Sequence, residues 1–183
     1  MQTLTEQKKA LRKRINAVLK ALPKEYRAEA SERIQEQVLC SEAYRNAESI
    51  FLYLAMPTEP DTRAILTRAI EDGKQVYVPK CISKTEMLAV RLRSTEQLKT
   101  GMYGILEPVD CSETLGDKTP DLILVPCVSA SADGRRLGHG AGYYDRFLKG
   151  NEQRTVCLCF ARALSDDIPM DENDVYMHRV VSD

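Results

Sequence analysis

The sequence predicts an α/β fold of three layers, α/β/α, with helices on both faces of a mostly parallel central sheet, in a single domain over residues 1–183. Three observations carry that expectation. Runs such as SIFLYLAM (49–56) and DLILVPCV (121–128) are apolar at nearly every position, the pattern of strands buried on both faces. Stretches of helical periodicity alternate with them, as in a parallel sheet with crossover helices. A chain of 183 residues with 43% hydrophobic content is enough for one full core and too short for two comfortable ones.

From the N-terminus, Thr3 and Glu6 have capping-box spacing ahead of a helix in which Leu4, Leu11, Ile15, Val18 and Leu22 keep a helical period, and Pro23 ends it. Residues 24–39 repeat the period through Tyr26, Ala30, Ile34 and Val38. The apolar run 49–56 is a buried strand, 61–72 a helix stopped by Gly73, and QVYVPKC a second strand. A hairpin-like region near EMLAVRL and a short helix around Gln97 follow, then strand 121–128, a glycine-rich loop, helix 143–149 and strand TVCLCFA. The passage EPVDCSETLGDKTP (107–120) is turn-rich and is expected to be a surface loop. No internal repeat, low-complexity tract or linker interrupts this order.

Composition excludes several classes. Charged residues make up 29% and nearly cancel at net −1, so the chain as a whole is neither disordered nor an electrostatic nucleic-acid binder. The polar start MQTLTEQKK and the lack of any apolar run near the ~20 residues that span a bilayer point to a cytoplasmic protein with no membrane partner. Six cysteines (Cys40, Cys81, Cys111, Cys127, Cys157, Cys159) form no CxxC pair; four fall in or beside apolar strand-like runs and are expected as buried, reduced thiols. His139 and His178, far apart and without cysteine or acid spacing, make a poor metal site.

The densest chemistry lies in GRRLGHGAGYYDRFL (134–148), between the strand 121–128 and the helix 143–149. Ligands of open α/β sheets bind outside the carboxyl ends of the strands, and a helix N-terminus offers unpaired N–H groups to phosphate. The glycines let backbone approach an anion, and Arg135 and Arg136 supply planar donors that match phosphate oxygens. The residues alone leave a second reading open, since Asp133-Gly134 is a turn signal and GxGxG patterns recur by chance.

RLGHGAGYYDRFL after a strand ending in Val-Pro resembles the signature of 5-formyltetrahydrofolate cyclo-ligases, also called methenyltetrahydrofolate synthetases. Lys8, Leu11 and Arg12 match that family's N-terminal Lys-x-x-Leu-Arg helix, Glu59 and Thr62 its Glu-x-x-Thr after the first strand, and ENDVYMHRVV its late Asn-Asp segment. The resemblance implies a three-layer architecture shared with phosphosugar isomerases and CoA transferases. It also implies an ATP- and Mg2+-dependent monomeric enzyme that converts 5-formyltetrahydrofolate, with or without a polyglutamate tail, into 5,10-methenyltetrahydrofolate. On that resemblance Lys8, Arg12, Arg136, Leu137, Gly138, His139, Gly140, Ala141, Gly142, Tyr143 and Tyr144 bind ATP, and Asp145 and Asp174 hold Mg2+. Leu54 and Glu59, with His139, Gly140, Ala141, Gly142 and Tyr143, face the folate, and Glu59 and Arg136 serve the chemistry.

The chain departs from the family pattern at Pro126-Cys127-Val128-Ser129-Ala130-Ser131, which lacks an aromatic and an acid, and at His139, Ala141 and His178. Those departures keep a second function open: a family member or phosphosugar enzyme acting on another substrate. A third is a nucleic-acid-binding module using Arg12, Lys13, Arg14 and Lys20, since the first 27 residues carry eight basic side chains against two acidic ones. The near-neutral chain weighs against the third, so no nucleic-acid partner is expected.

Overall fold

A computed structural model describes residues 2–101 and 106–183. Helix α1 (Leu4–Ala21) opens on the expected capping box, with Thr3 and Glu6 each accepting the other's backbone N–H. It buries Leu11, Ile15 and Leu19, while Val18, expected inside, is 37% exposed. Helix α2 (Lys24–Leu39) buries Ala30, Ile34 and Val38, and the short α3 (Glu42–Asn46) leads into β1 (Ser49–Leu52). Then come α4 (Arg63–Glu71), β2 (Gln75–Cys81), β3 (Met87–Leu92), a 3-10 turn at Thr95–Gln97, and the small pair β4 (Leu98–Thr100) and β5 (Leu106–Pro108). The chain continues through β6 (Leu122–Pro126), a two-residue hairpin of β7 (Ser129–Ala130) and β8 (Arg136–Leu137), α5 (Tyr143–Leu148), β9 (Thr155–Leu158) and β10 (Arg179–Val181).

Six strands form the main sheet in the order β10-β9-β6-β1-β2-β3, parallel throughout except for the antiparallel β2/β3 pair. Successive strand side chains point to opposite faces, and Ile50, Phe51 and Leu52 are all fully buried, so both faces of β1 are covered. Phe51 packs on α5 through Phe147 (ring centroids 4.6 Å apart) and Tyr144 (6.2 Å). The predicted mostly parallel α/β sheet is thus present.

Several boundaries differ from the sequence expectation, each for a visible reason. β1 ends at Leu52 rather than at 56, because its neighbours pair only through Phe51 on the β2 side and Leu52 on the β6 side. The apolar residues beyond serve a loop instead: Tyr53 donates its hydroxyl to the Pro60 carbonyl, and Thr62 donates back to the Tyr53 carbonyl, both at 2.7 Å. The passage 107–120 is largely the exposed loop expected, except that its first two residues join β5 and residues 113–115 are tied to β3. That short stretch runs along the outer edge of β3, with Arg91 and Leu115 N–H groups bonded to Glu113 and Ala89 carbonyls, and so covers part of an edge that would otherwise offer unpaired amides. All six cysteines are free, but Cys81, at the end of β2, is exposed rather than buried. No helix among the described residues is long and apolar enough to cross a membrane.

The segment before β10 folds back onto the β7/β8 hairpin at one crowded point. Gly134 has φ +91°, accepts the Met177 N–H at 2.8 Å, and has its Cβ position occupied by the Met177 carbonyl oxygen. Gly134→Ala should therefore cost about 2–3 kcal/mol, from strain plus a steric clash with backbone. Gly116→Ala shares the positive φ (+62°) but faces open space, and should cost about 1 kcal/mol. Urea midpoints of the two variants against wild type check this; equal losses would show that the Met177 contact yields freely.

Candidate active site

Where β6 ends, the chain builds a cavity of about 500 Å³ lined by Pro126, by 136–146 and by residues of α1 and of the 171–174 segment. The volume is that of an ordinary small-molecule site. Its charges are five cations (Lys8, Arg12, Arg136, Arg146, Lys149) against three carboxylates (Asp145, Asp171, Asp174), an excess that suits an anion. All residues that the family resemblance assigned to the nucleotide and metal line this one space. Arg135 does not: its guanidinium folds onto Asp133 at 2.9 Å, outside the cavity. Lys13, Arg14 and Lys20 also stay outside it, on the exposed side of α1.

The glycines make room for guanidinium groups. A Cβ on Gly138 would come within 2.8 Å of Arg136 Nη1, and one on Gly142 within 2.7 Å of Arg146 Nη1. Arg136, its side chain only 3% exposed, donates to the Pro126 carbonyl (3.2 Å) and to Asp145 (2.7 Å) and lies over the Tyr144 ring. It is thus already committed at the cavity floor and acts as a fixed donor, not a free arm. Arg12 donates to the Gly138 carbonyl at 2.8 Å; burial pulls its guanidinium below its ordinary range, Asp174 and Asp145 oppose that, and Arg136 adds to it. Helix α5, whose N-terminus follows the glycine loop, has six residues and starts from Gly142 at φ 69°.

Lys8 reaches across from α1 to both Asp171 (2.6 Å) and Asp174, and its side chain is 12% exposed. Burial alone would lower the ammonium, but hydrogen bonds to the two carboxylates outweigh it and hold Lys8 raised. Asp171 is held low by Lys8 and by the Asn173 N–H. Sequence reading missed Asp171, Asn173, Arg146 and Lys149 as cavity residues. The acidic run DENDVY is the one local signal for the first two; Arg146 and Lys149 sit on or just after a short helix whose facing was not legible.

A second, larger cavity of about 950 Å³ opens beyond β1, lined among others by Arg27, Gln35, Leu54, Met56, Glu59 and Arg63. The residues assigned to the folate therefore divide, with Leu54 and Glu59 here and His139, Gly140, Ala141, Gly142 and Tyr143 in the first cavity. The two meet at one bond, His139 Nε2 to Glu59 Oε1 at 2.8 Å. Glu59 also accepts the Met56 N–H at 2.8 Å and is 3% exposed at its side chain. Burial holds the Tyr53 and Tyr144 hydroxyls well above their ordinary value, and the Glu59 charge adds to both. Tyr144 is a packing wall, whereas Tyr143 donates to the Ser83 carbonyl at the rim. The altered segment Cys127–Ser131 is buried and lines neither cavity.

A parallel sheet with a basic, glycine-lined cavity at the carboxyl end of a central strand defines an α/β enzyme with an anion site. Residues 4–183 match the model of the 5-formyltetrahydrofolate cyclo-ligase family, a family of ligases, and the chain belongs to that family. The 5-formyltetrahydrofolate cyclo-ligase of Mus musculus is 31% identical over 193 residues, covering 98% of this chain and 95% of the mouse protein. The NMR structure of Aquifex aeolicus 5,10-methenyltetrahydrofolate synthetase superposes with a TM-score of 0.82 at 28% identity, covering 95% of this chain and 88% of that one. A Mycoplasma pneumoniae 5,10-methenyltetrahydrofolate synthetase shares the fold, with a TM-score of 0.77 at 22% identity over 96% of this chain and 98% of the other.

The clasp between Lys8 and the 171–174 segment yields a pH prediction. The depressed Asp171 contributes stability that is present above its unfolded value of about 3.9 and is lost as pH falls through the lower folded value. The raised Lys8 contributes at every pH below its unfolded value of 10.5. Lys8→Met should thus melt below wild type at pH 7, and the gap should narrow as pH drops below about 4. A gap that persists undiminished in acid would assign it to packing of the lysine stem instead.

Proposed function

We propose that this chain catalyses the ATP- and Mg2+-dependent cyclisation of 5-formyltetrahydrofolate to 5,10-methenyltetrahydrofolate, with release of ADP and phosphate. The observation that carries the reading is the adjacency of a basic, glycine-lined cavity to a second cavity walled by a buried carboxylate, in a chain whose family match runs from residue 4 to 183. A formyl amide is a poor electrophile. Phosphorylation of its oxygen creates a leaving group, N10 closes on the formyl carbon, and phosphate departs. Positioning and charge neutralisation supply most of the rate in such a reaction.

Lys8, Arg12 and Arg136, with the 136–144 backbone, hold the phosphates, Arg136 from its fixed place on the floor. The carboxylates fit Mg2+. Asp145 engages Arg136 through Oδ1 and Asp174 engages Lys8 through Oδ2, which leaves the second oxygen of each without a hydrogen-bond donor among the described side chains. Among the described residues no group of three or more His, Cys, Asp or Glu is placed to hold a metal alone, so phosphate oxygens and water complete the shell, the usual state of a magnesium site. Leu54 provides an apolar wall for the pterin, and Glu59 opposes the positive charge that develops on the formyl carbon and its nitrogens.

The altered segment at 126–131 lends no support to a different substrate, because Cys127 to Ser131 pack inside the protein and touch neither cavity.

Purified protein given ATP, Mg2+ and 5-formyltetrahydrofolate should generate the methenyl chromophore, and omission of either ATP or Mg2+ should abolish it. Absence of the chromophore with all three present would overturn the proposal. Glu59→Gln should lower kcat about 100-fold with nucleotide affinity little changed, since it removes negative charge without changing size. Asp174→Asn should raise the Mg2+ concentration for half-maximal activity, and excess Mg2+ should partly restore the rate. An unshifted magnesium curve would assign Asp174 to the Lys8 clasp alone.

A further inference from the structure

The only side-chain hydrogen bond among the described residues that joins the glycine loop to the β1–α4 connection is His139 to Glu59. With a carboxylate as acceptor, the His139 tautomer that serves this contact is the one with its proton on Nε2. The two partners are unequal: His139 is 41% exposed at its side chain and Glu59 is 3% exposed. Glu59's other partner, the Met56 N–H, belongs to its own loop. His139, in contrast, sits between Gly138 and Gly140, on a backbone stretch whose course is set by the Arg136 and Arg12 guanidinium groups packed against those glycines. The arginines that line the first cavity thus flank the loop, and one imidazole links that loop to Glu59.

We infer that His139 is a positioning residue for the cyclisation, which works through Glu59 and couples occupation of the nucleotide cavity to the placement of the carboxylate that faces the folate. The inference rests on the proposed function for what fills each cavity. Coupling of this kind is reciprocal: if nucleotide settles Glu59 for folate, folate must tighten nucleotide by the same factor, and typical factors run from about 5-fold to 150-fold. A residue that only touches one ligand changes that ligand's affinity equally whether or not the other is present.

The test is calorimetric titration of a non-hydrolysable ATP analogue with Mg2+, with and without saturating 5-formyltetrahydrofolate, for wild type, His139→Ala and His139→Gln. Thermal melts confirm that each variant is folded. In wild type the analogue should bind at least about fivefold tighter with folate present. The ratio should fall to about one in His139→Ala and recover in His139→Gln, whose side-chain amide can still donate to Glu59. Wild type that binds both ligands with a ratio of one, or His139→Ala with the wild-type ratio, overturns the inference and leaves the proposed function standing. Wild type that binds neither ligand overturns both.

Discussion

Parallel pairing of β1 with β6 at the centre of the sheet is the constraint from which the site follows. With Leu52 in register with Leu124, the two strands end side by side at one edge, and the loops that leave them must begin there. One loop carries Leu54 and Glu59; the other leads through Arg136 to the glycine loop. Had the pair been antiparallel, the carboxylate and the basic cavity would lie at opposite edges, a strand length apart. Burial on both faces makes this pairing expensive to alter, because a register slip would move a whole row of apolar side chains out of its layer. The hydrophobic core thus sets the distance between the two cavities, and Leu54 and Leu137 carry it to their walls.

Charge is handled differently at the two places. In the first cavity each acid is already matched, Asp145 by Arg136 and Asp174 and Asp171 by Lys8. Pairs withdrawn from water hold little net stability, but leaving either partner alone is costly. The proposed magnesium nucleotide would suit this arrangement, its phosphates facing the cations and its metal the carboxylates of Asp145 and Asp174. Among the described residues Glu59 forms no ion pair with a Lys or Arg and contacts only His139 and an amide, which suits a group whose proposed partner is the charge that develops on a substrate.

The order of elements was legible because period and apolarity report burial directly, and burial is what the sheet consists of. The capping box at Thr3 and Glu6 and the stop at Pro23 were legible for a similar reason, being local contacts between residues three or so apart. The end of β1 was not, since Tyr53 and Leu54 are as apolar as the strand and differ only in having no neighbour to pair with. The turn chemistry of 107–120 hid the short stretch that covers part of an edge strand. In the site, the glycine loop and the acids were legible as motif positions, and nothing local could show that Arg135 turns outward while Arg136 turns in. Nor could any spacing reveal His139 against Glu59, 80 positions apart, because that contact belongs to the strand order.

The departures from the family pattern acquire different weights once they are placed. Pro126 to Ser131 looked like the gravest, losing an aromatic and an acid, yet Ser129 spends its hydroxyl on the Ala163 carbonyl and Cys127 packs against the thiols of Cys157 and Cys159. Small side chains here let the β7/β8 hairpin settle against the 3-10 turn at Ala161–Ala163, a matter of core volume. His139 is a single change on an open loop, and it stands where one donor meets the buried acid of the other cavity. A substitution's distance from the site in space, rather than the size of the change in sequence, therefore decides whether it bears on the chemistry or only on packing.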